Sequence, residues 1–311
     1  MMNLNQGDKI GTFIYEGQIK HGGMAIAWAE NTKEQQLRAM KMSLTGFSDD
    51  RDEQNKIAIR GEADLLSQLN HLRIIRVNTI PRDELQKAGD KYYARAYQLD
   101  NEPWYFVMEY LAGANLAEHL KRVGPLTVSE ATNIVGNICL GLYYLHSRNL
   151  SHNDVKSENV VFRQPIRVGE AIDPVLIDFG TAAGVKRRFE DAGTPYTMSP
   201  ERLRVAHGLD APEKSVLVDV RKAETWSVGV LLYQALSCKT PFAARNMRTL
   251  TSQVLNDVPA TLRKYNPEIP GELNTFIVDY CLSKTPRYRP TIEEVLRFLR
   301  PYGSGVTAIK E

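Results

Sequence analysis

The densest grouping of chemically capable residues lies between Leu150 and Gly180. It runs His152, Asn153, Asp154, Val155, Lys156, Ser157, Glu158, Asn159, then the apolar Val160-Val161-Phe162. Asp178-Phe179-Gly180 follows behind a second apolar run, Val175-Leu176-Ile177. Two acidic groups, a lysine and an asparagine stand at short fixed spacings, bounded by apolar runs. Two loops beside buried strands would hold a general base, a phosphate contact and oxygen ligands for a hard metal in this way. Taken alone, the first cluster also reads as a polar turn between a helix and a strand; the second cluster behind its own apolar run favours the chemical reading.

The flanking elements must position these loops. Ile10 to Ile19, Ala25 to Glu30 and Leu37 to Met42 read as strands, separated by glycine and polar residues. A helix is expected over Asn55 to Leu69, where Ile57, Ala58, Leu65, Leu66 and Leu69 share a broad face. Residues 73 to 103 read as an extended loop and a strand, and Trp104 to Tyr110 as an apolar-aromatic strand. Thr127 to Glu130 is a capping box, and Ile134, Val135, Ile138, Leu142 and Leu145 follow at helical spacing, so a buried helix leads into the 150–160 loop. Glu224 to Cys238, Leu273 to Leu282 and Thr291 to Leu299 read as further helices, the last with its own capping box, Thr291 to Glu294. The layout is a small sheet-rich lobe followed by a larger helical one.

The bulk properties allow this and exclude little else. The chain has 311 residues, 43% of them hydrophobic and 24% charged, enough for one large domain or two lobes. A net charge of +2 argues neither for nor against an extended nucleic-acid surface. Cys139, Cys238 and Cys281 are sparse and far apart, which points to a reducing compartment and to buried thiols. The first residues lack the apolar core of a signal peptide, and no apolar run is long enough to span a membrane.

With Asp154, Lys156, Asn159 and Asp178 in place, the chain resembles a eukaryotic-like serine/threonine protein kinase domain over roughly residues 10 to 300. The resemblance implies an α+β, bilobal fold with an antiparallel-sheet N-lobe and a mainly helical C-lobe. Residues 1–311 would form one domain: N-lobe about 8–108, hinge about 109–113, C-lobe about 114–302 and a tail at 303–311. It implies transfer of a phosphoryl group from ATP with Mg²⁺ to a protein serine or threonine hydroxyl, in phosphorylation signalling. Asp154 would orient the acceptor hydroxyl, Lys156 would steady the transferred group, and Asn159 and Asp178 would hold the metal. Lys41 of Arg38-Ala39-Met40-Lys41 resembles the strand lysine that contacts the α- and β-phosphates, and Glu62 would pair with it. Val107 to Leu111 resembles the hinge that meets adenine through its backbone, at Glu109 and Leu111, with Met108 guarding the back of the pocket. Ile19, Ala27, Ala39 and Val161 would line the adenine. Gly22 and Gly23 remain of the glycine-rich loop; Lys20 and Ala25 replace its outer glycines, and Lys20 or His21 would either contact phosphate or face solvent. Gly193 to Glu201 resembles the peptide-docking end of an activation segment. Glu201 would pair with Arg289, and Glu224 would open a central buried helix. A small-molecule kinase would be expected to lack these features.

The departures carry their own expectations. Asn153 stands where many kinases have the arginine that receives an activating phosphate, and no Ser, Thr or Tyr lies between Ala182 and Gly193. Activity is therefore expected not to depend on phosphorylation of that segment. Lys186-Arg187-Arg188 either favours acidic substrates or is a solvated loop. Residues 163 to 174 and 202 to 223 read as surface insertions, either partner sites or tolerated loop length. The alternative to an active enzyme is a pseudokinase that binds ATP or serves as a scaffold. A cytoplasmic protein with a protein substrate, no nucleic-acid partner and no membrane span in this chain is expected, and the Gly-Gly-Met loop leans toward a bacterial source. The oligomeric state is not encoded in any of these features.

Overall fold

A computed structural model describes residues 4–20, 25–31, 36–43, 45–80, 91–167, 170–187, 194–209 and 218–303; at 18–20, 25–31, 186–187 and 218–219 only the backbone is described. The chain divides into two compact units, Met1–Ala112 and Gly113–Glu311.

The first unit is a seven-stranded antiparallel sheet with one helix. Its strands are β1 (Lys9–Ile10), β2 (Phe13–Lys20), β3 (Ala25–Asn31), β4 (Gln36–Met42), β5 (Val77–Asn78), β6 (Tyr93–Arg95) and β7 (Trp104–Glu109). The order is β1-β2-β3-β4-β7-β5, with β6 also paired to β7. The single strand expected over 10–19 is two, because Gly11 turns the chain at φ 61 between them. Met40, Met42, Tyr105 and Val107 from the two central strands pack with Ile10, Phe13 and Tyr15 into one core. Helix α1 (Asp49–Ser67) starts earlier than its apolar pattern suggests. Ser48 caps it by accepting the Arg51 N–H, and Asp49, Asp50 and Asp52 sit in the first turn, where the helix dipole favours negative charge. Its buried residues, Ile59, Glu62, Ala63 and Leu66, fall at i, i+3, i+4 and i+7, and this face packs on β7. Glu62 is therefore carried on the buried stripe of the helix.

The second unit is helical. It contains α2 (Leu116–Val123), α3 (Val128–Ser147), α4 (Pro200–Ala206), α5 (Arg221–Ser237), α6 (Met247–Asn256), α7 (Gly271–Thr275) continued by a π-helical turn Phe276–Cys281, and α8 (Ile292–Leu299). Both expected capping boxes form, Thr127 with Glu130 and Thr291 with Glu294. A third, Asn115 with Glu118, starts α2, in the stretch after Gly113 where the sequence pattern turns helical. Helix α5 is buried almost all round, and α3 packs against it and against α8. Three short antiparallel pairs frame the loops: β8 (Leu150–Ser151) with β11 (Ala183–Gly184), β9 (Val160–Phe162) with β10 (Pro174–Leu176), and β12 (Lys186–Arg187) with β13 (Val218–Asp219).

Two expectations need correction. Residues 202–223 are not a surface insertion at their ends: Arg202, Leu203, Val220 and Ala223 are buried, because the ends of this segment belong to α4 and α5. Of the three thiols, Cys139 and Cys281 are buried but Cys238 is exposed, at the left-handed C-cap of α5 with φ 54.

Gly113 marks the start of the second unit by close approach. Its N–H donates to the Phe162 carbonyl at 3.0 Å. A Cβ there would lie 2.5 Å from that carbonyl oxygen and 2.7 Å from the oxygen of Gln164, both backbone atoms that cannot rotate away. Gly113→Ala is expected to destabilise the protein by about 2 kcal/mol or more, read as a lowered urea midpoint; an unchanged midpoint would contradict the close packing.

Candidate active site

The chain from Ser151 to Asn159 leaves β8, turns, and enters β9, and its side chains largely hold one another. Asp154 is buried. Its Oδ2 accepts the Lys156 ammonium at 2.6 Å and the Asn159 amide at 3.1 Å. Its Oδ1 accepts the Thr194 N–H at 3.0 Å and the Thr194 hydroxyl at 2.9 Å. Lys156 also donates to the Thr194 hydroxyl at 2.7 Å. The carboxylate is thus held by four donors, two of them the side chains of Lys156 and Asn159 that the sequence pattern named. The Asn159 amide nitrogen also donates to the Asp154 carbonyl at 2.8 Å, which commits the NH₂ and directs the amide oxygen elsewhere.

The turn is held from beneath by Glu224 of α5. One carboxylate oxygen accepts the His152 N–H at 2.6 Å and the Asn153 N–H at 2.7 Å; the other meets the His146 ring of α3 at 2.5 Å. Burial pushes the Glu224 carboxyl up, but the His146 hydrogen bond and charge, the Asn153 amide and His152 outweigh it, so its pKa lies below the ordinary glutamate value. His152 stacks edge-on against Phe179 at 4.7 Å and its Nε2 meets the Ile177 carbonyl at 2.9 Å, which ties the two loops together.

Asp178 follows directly. The Ile177 N–H donates to the Asn159 carbonyl at 2.9 Å, continuing the β9–β10 pairing, so Asn159 and Asp178 leave the same end of that hairpin. Asp178 adopts φ 65, a left-handed conformation that is strained for a residue other than glycine or asparagine, and its side chain is exposed while Phe179 is buried. An amide oxygen and a carboxylate at one hairpin end suit Mg²⁺, which takes few protein ligands and completes its shell with phosphate oxygens and water. Among the described residues no group of three or more His, Cys, Asp or Glu could hold a metal ion.

In the first unit the Lys41 ammonium lies 2.9 and 2.7 Å from the two oxygens of Glu62, with side-chain exposures of 6% and 2%. Sequence reasoning placed this pair from spacing to other motifs; the buried stripe of α1 supplies the physical reason. Ala39, Met108 and Leu111 are buried, and Val161 is half-buried on β9. Glu109 ends β7, its N–H donating to the Arg76 carbonyl at 3.0 Å. Gly22 and Gly23 lie outside the described residues, and so do the side chains of Ile19, Lys20 and Ala27.

The ion pair expected between Glu201 and Arg289 forms. Glu201 meets Arg289 through two parallel bonds of 2.7 Å, and Arg289 is fully buried over Trp226. Sequence reasoning missed Thr194 as a partner of Asp154, Glu224 as the clamp on the turn, and Arg202, whose Nη1 donates to the Asn153 carbonyl at 2.7 Å.

The protein kinase domain family matches residues 17–299. The chain belongs to that family. It is 33% identical over 290 residues to the human serine/threonine-protein kinase TAO3, covering 92% of this chain and 28% of that protein. The Xenopus laevis TAO3 kinase is 30% identical over 289 residues, with the same shares covered. A probable serine/threonine-protein kinase of Dictyostelium discoideum is 24% identical over 253 residues, 79% of this chain and 43% of that protein. This kinase domain therefore spans less than half the length of these relatives. All three are eukaryotic and lend no support to the bacterial source that the Gly-Gly-Met loop suggested. Among the described residues of the domain, no helix is long and apolar enough to cross a membrane.

Proposed function

We propose that this domain transfers the γ-phosphoryl group of Mg·ATP to a serine or threonine hydroxyl of a protein. The observation that carries the reading is Asp154, fixed by Lys156, Asn159 and Thr194 together. Asp154 orients the acceptor hydroxyl and takes its proton, and Lys156 neutralises charge on the group in flight. Asn159 and Asp178 hold Mg²⁺, which supplies charge neutralisation at the phosphates. Lys41, held by Glu62, contacts the α- and β-phosphates. The backbone at Glu109 and Leu111, with Ile19, Ala27, Ala39 and Met108, meets the adenine. Residues 109–113 act as the hinge of a single domain, and the free, sparse cysteines fit a reducing, cytoplasmic setting. The test is transfer of labelled phosphate from Mg·ATP to a generic protein substrate, with Asp154→Asn as control.

We also propose that activity does not require phosphorylation of the activation segment. The Asn153 amide is spent on the Ser151 and Thr181 carbonyls at 3.3 and 3.0 Å. The start of the segment is held by backbone: β11 pairs with β8, β12 pairs with β13, and the Val220 N–H donates to the Val185 carbonyl at 3.1 Å. Phosphatase treatment is expected to leave the rate within about twofold of the untreated enzyme; a loss of tenfold or more that tracks dephosphorylation of residues 181–197 would sink the idea, since a lost ordering contact of 1.4 kcal/mol already costs about tenfold. The second reading, an ATP-binding or scaffolding pseudokinase, draws on Lys20 and Ala25 in the glycine-rich loop. ATP binding without transfer would favour it.

A further inference from the structure

Arg202 is a large cation buried to 7% exposure on α4, and neither the phosphoryl-transfer groups nor the Glu201–Arg289 anchor uses it. Its Nη1 donates to the Asn153 carbonyl at 2.7 Å. That carbonyl belongs to the peptide bond whose nitrogen is Asp154 N, so the guanidinium fixes the plane of the peptide that carries Asp154. Asn153 itself sits at φ 68, a left-handed conformation that asparagine adopts more readily than most residues. Glu224 accepts the N–H of the same residue at 2.7 Å. A carboxylate on the amide and a guanidinium on the carbonyl together hold the peptide groups on both sides of Asn153.

We infer that Arg202 is a positioning residue for Asp154, linking the peptide-docking helix α4 to the catalytic turn through the Asn153 carbonyl. The inference rests on the kinase reading above. Where position 153 is arginine, a phosphate on the activation segment completes a link to the catalytic loop. Here the arginine is on the downstream segment and the acceptor is a backbone carbonyl, so the link is built in and needs no added phosphate. The neighbouring Glu201, paired with Arg289, keeps α4 from shifting and so keeps Arg202 within reach.

The test compares the full chain with Arg202→Met and Arg202→Lys. Two quantities are measured: kcat and KM on dephosphorylated casein with Mg·ATP, and amide hydrogen exchange of peptides covering residues 148–160. Arg202→Met is expected to lower kcat by about 10- to 100-fold through misplacement of Asp154. KM for ATP should stay within about twofold, since the contact is not to the nucleotide. Exchange should rise at residues 152–155 and stay unchanged in α3 and α5. Arg202→Lys, which can still reach one carbonyl, should recover part of both effects. Wild-type kcat with unchanged exchange at 152–155 in Arg202→Met overturns the inference, as does protection lost across α3 and α5 in both variants. If the unmodified chain transfers no phosphate, the kinase reading fails, and the exchange of residues 152–155 decides the positioning role by itself.

Discussion

Asp154→Asn is expected to lower kcat on a protein substrate by about 10²- to 10⁴-fold, the range attributable to a positioned general base. KM for ATP should change little, because the lost group addresses the acceptor hydroxyl and not the nucleotide. The local geometry adds to the chemical loss. Each carboxylate oxygen of Asp154 accepts two hydrogen bonds, from Lys156 and Asn159 on one side and from the backbone and hydroxyl of Thr194 on the other. An asparagine offers one acceptor oxygen and one NH₂, so one pair of donors must face another donor. Where Lys156 is the donor that turns away, the positive charge proposed to neutralise the transferred group moves with it. Transfer at the wild-type rate in the mutant would contradict the assignment of Asp154.

Glu201→Ala should destabilise the second unit by about 3 kcal/mol, the low end of the range for orphaning a buried partner, since Glu201 keeps 19% of its side-chain exposure. Arg289 has none, and its guanidinium also donates to the Ser283 carbonyl at 2.8 Å and the Lys222 carbonyl at 2.9 Å while lying 5.2 Å from the Trp226 ring. Removing the carboxylate leaves a cation in place without its counter-charge. Replacing both partners, Glu201→Leu with Arg289→Met, should be milder than either single change, because no buried charge remains. Urea unfolding followed by tryptophan fluorescence measures wild type, Glu201→Ala, the double variant and its two single changes. A Glu201→Ala loss below about 1 kcal/mol, the ceiling for an exposed pair, would show that the bridge is solvated in practice.

The parts of this protein that were legible in its sequence are those whose partners are near in the chain or repeat with a period. Asp154, Lys156 and Asn159 sit within one turn, and Thr127 with Glu130 states a helix start outright. The sheet followed from its apolar runs. The start of α1 was set six residues too late because its first turns are polar and are held by a cap and a dipole, not by an apolar face. Helix α2 follows where the pattern turns helical after Gly113, though its capping pair, Asn115 with Glu118, was not read from the sequence. The groups that hold the catalytic turn were illegible for a different reason. Glu224 reaches Asn153 across 71 residues and Arg202 reaches it across 49, and no local spacing announces such contacts. Residue type hinted at Glu224, as the head of a buried helix, but not at what it grips.

The distance between Glu201 and Arg289 also sets an order of assembly on the ribosome. The two residues are 88 apart in sequence, and Arg289 lies close to the end of the matched domain. The entropy of closing so long a loop grows only slowly with length, so the contact is affordable once both ends exist. Until synthesis passes Arg289, however, α4 lacks its Glu201 ion pair, although Arg202 can already reach the Asn153 carbonyl. The first unit and the α3 helix emerge well before that point, in keeping with folding that proceeds from the N-terminus. A nascent chain of this protein can therefore pair Lys41 with Glu62 early and Glu201 with Arg289 only late.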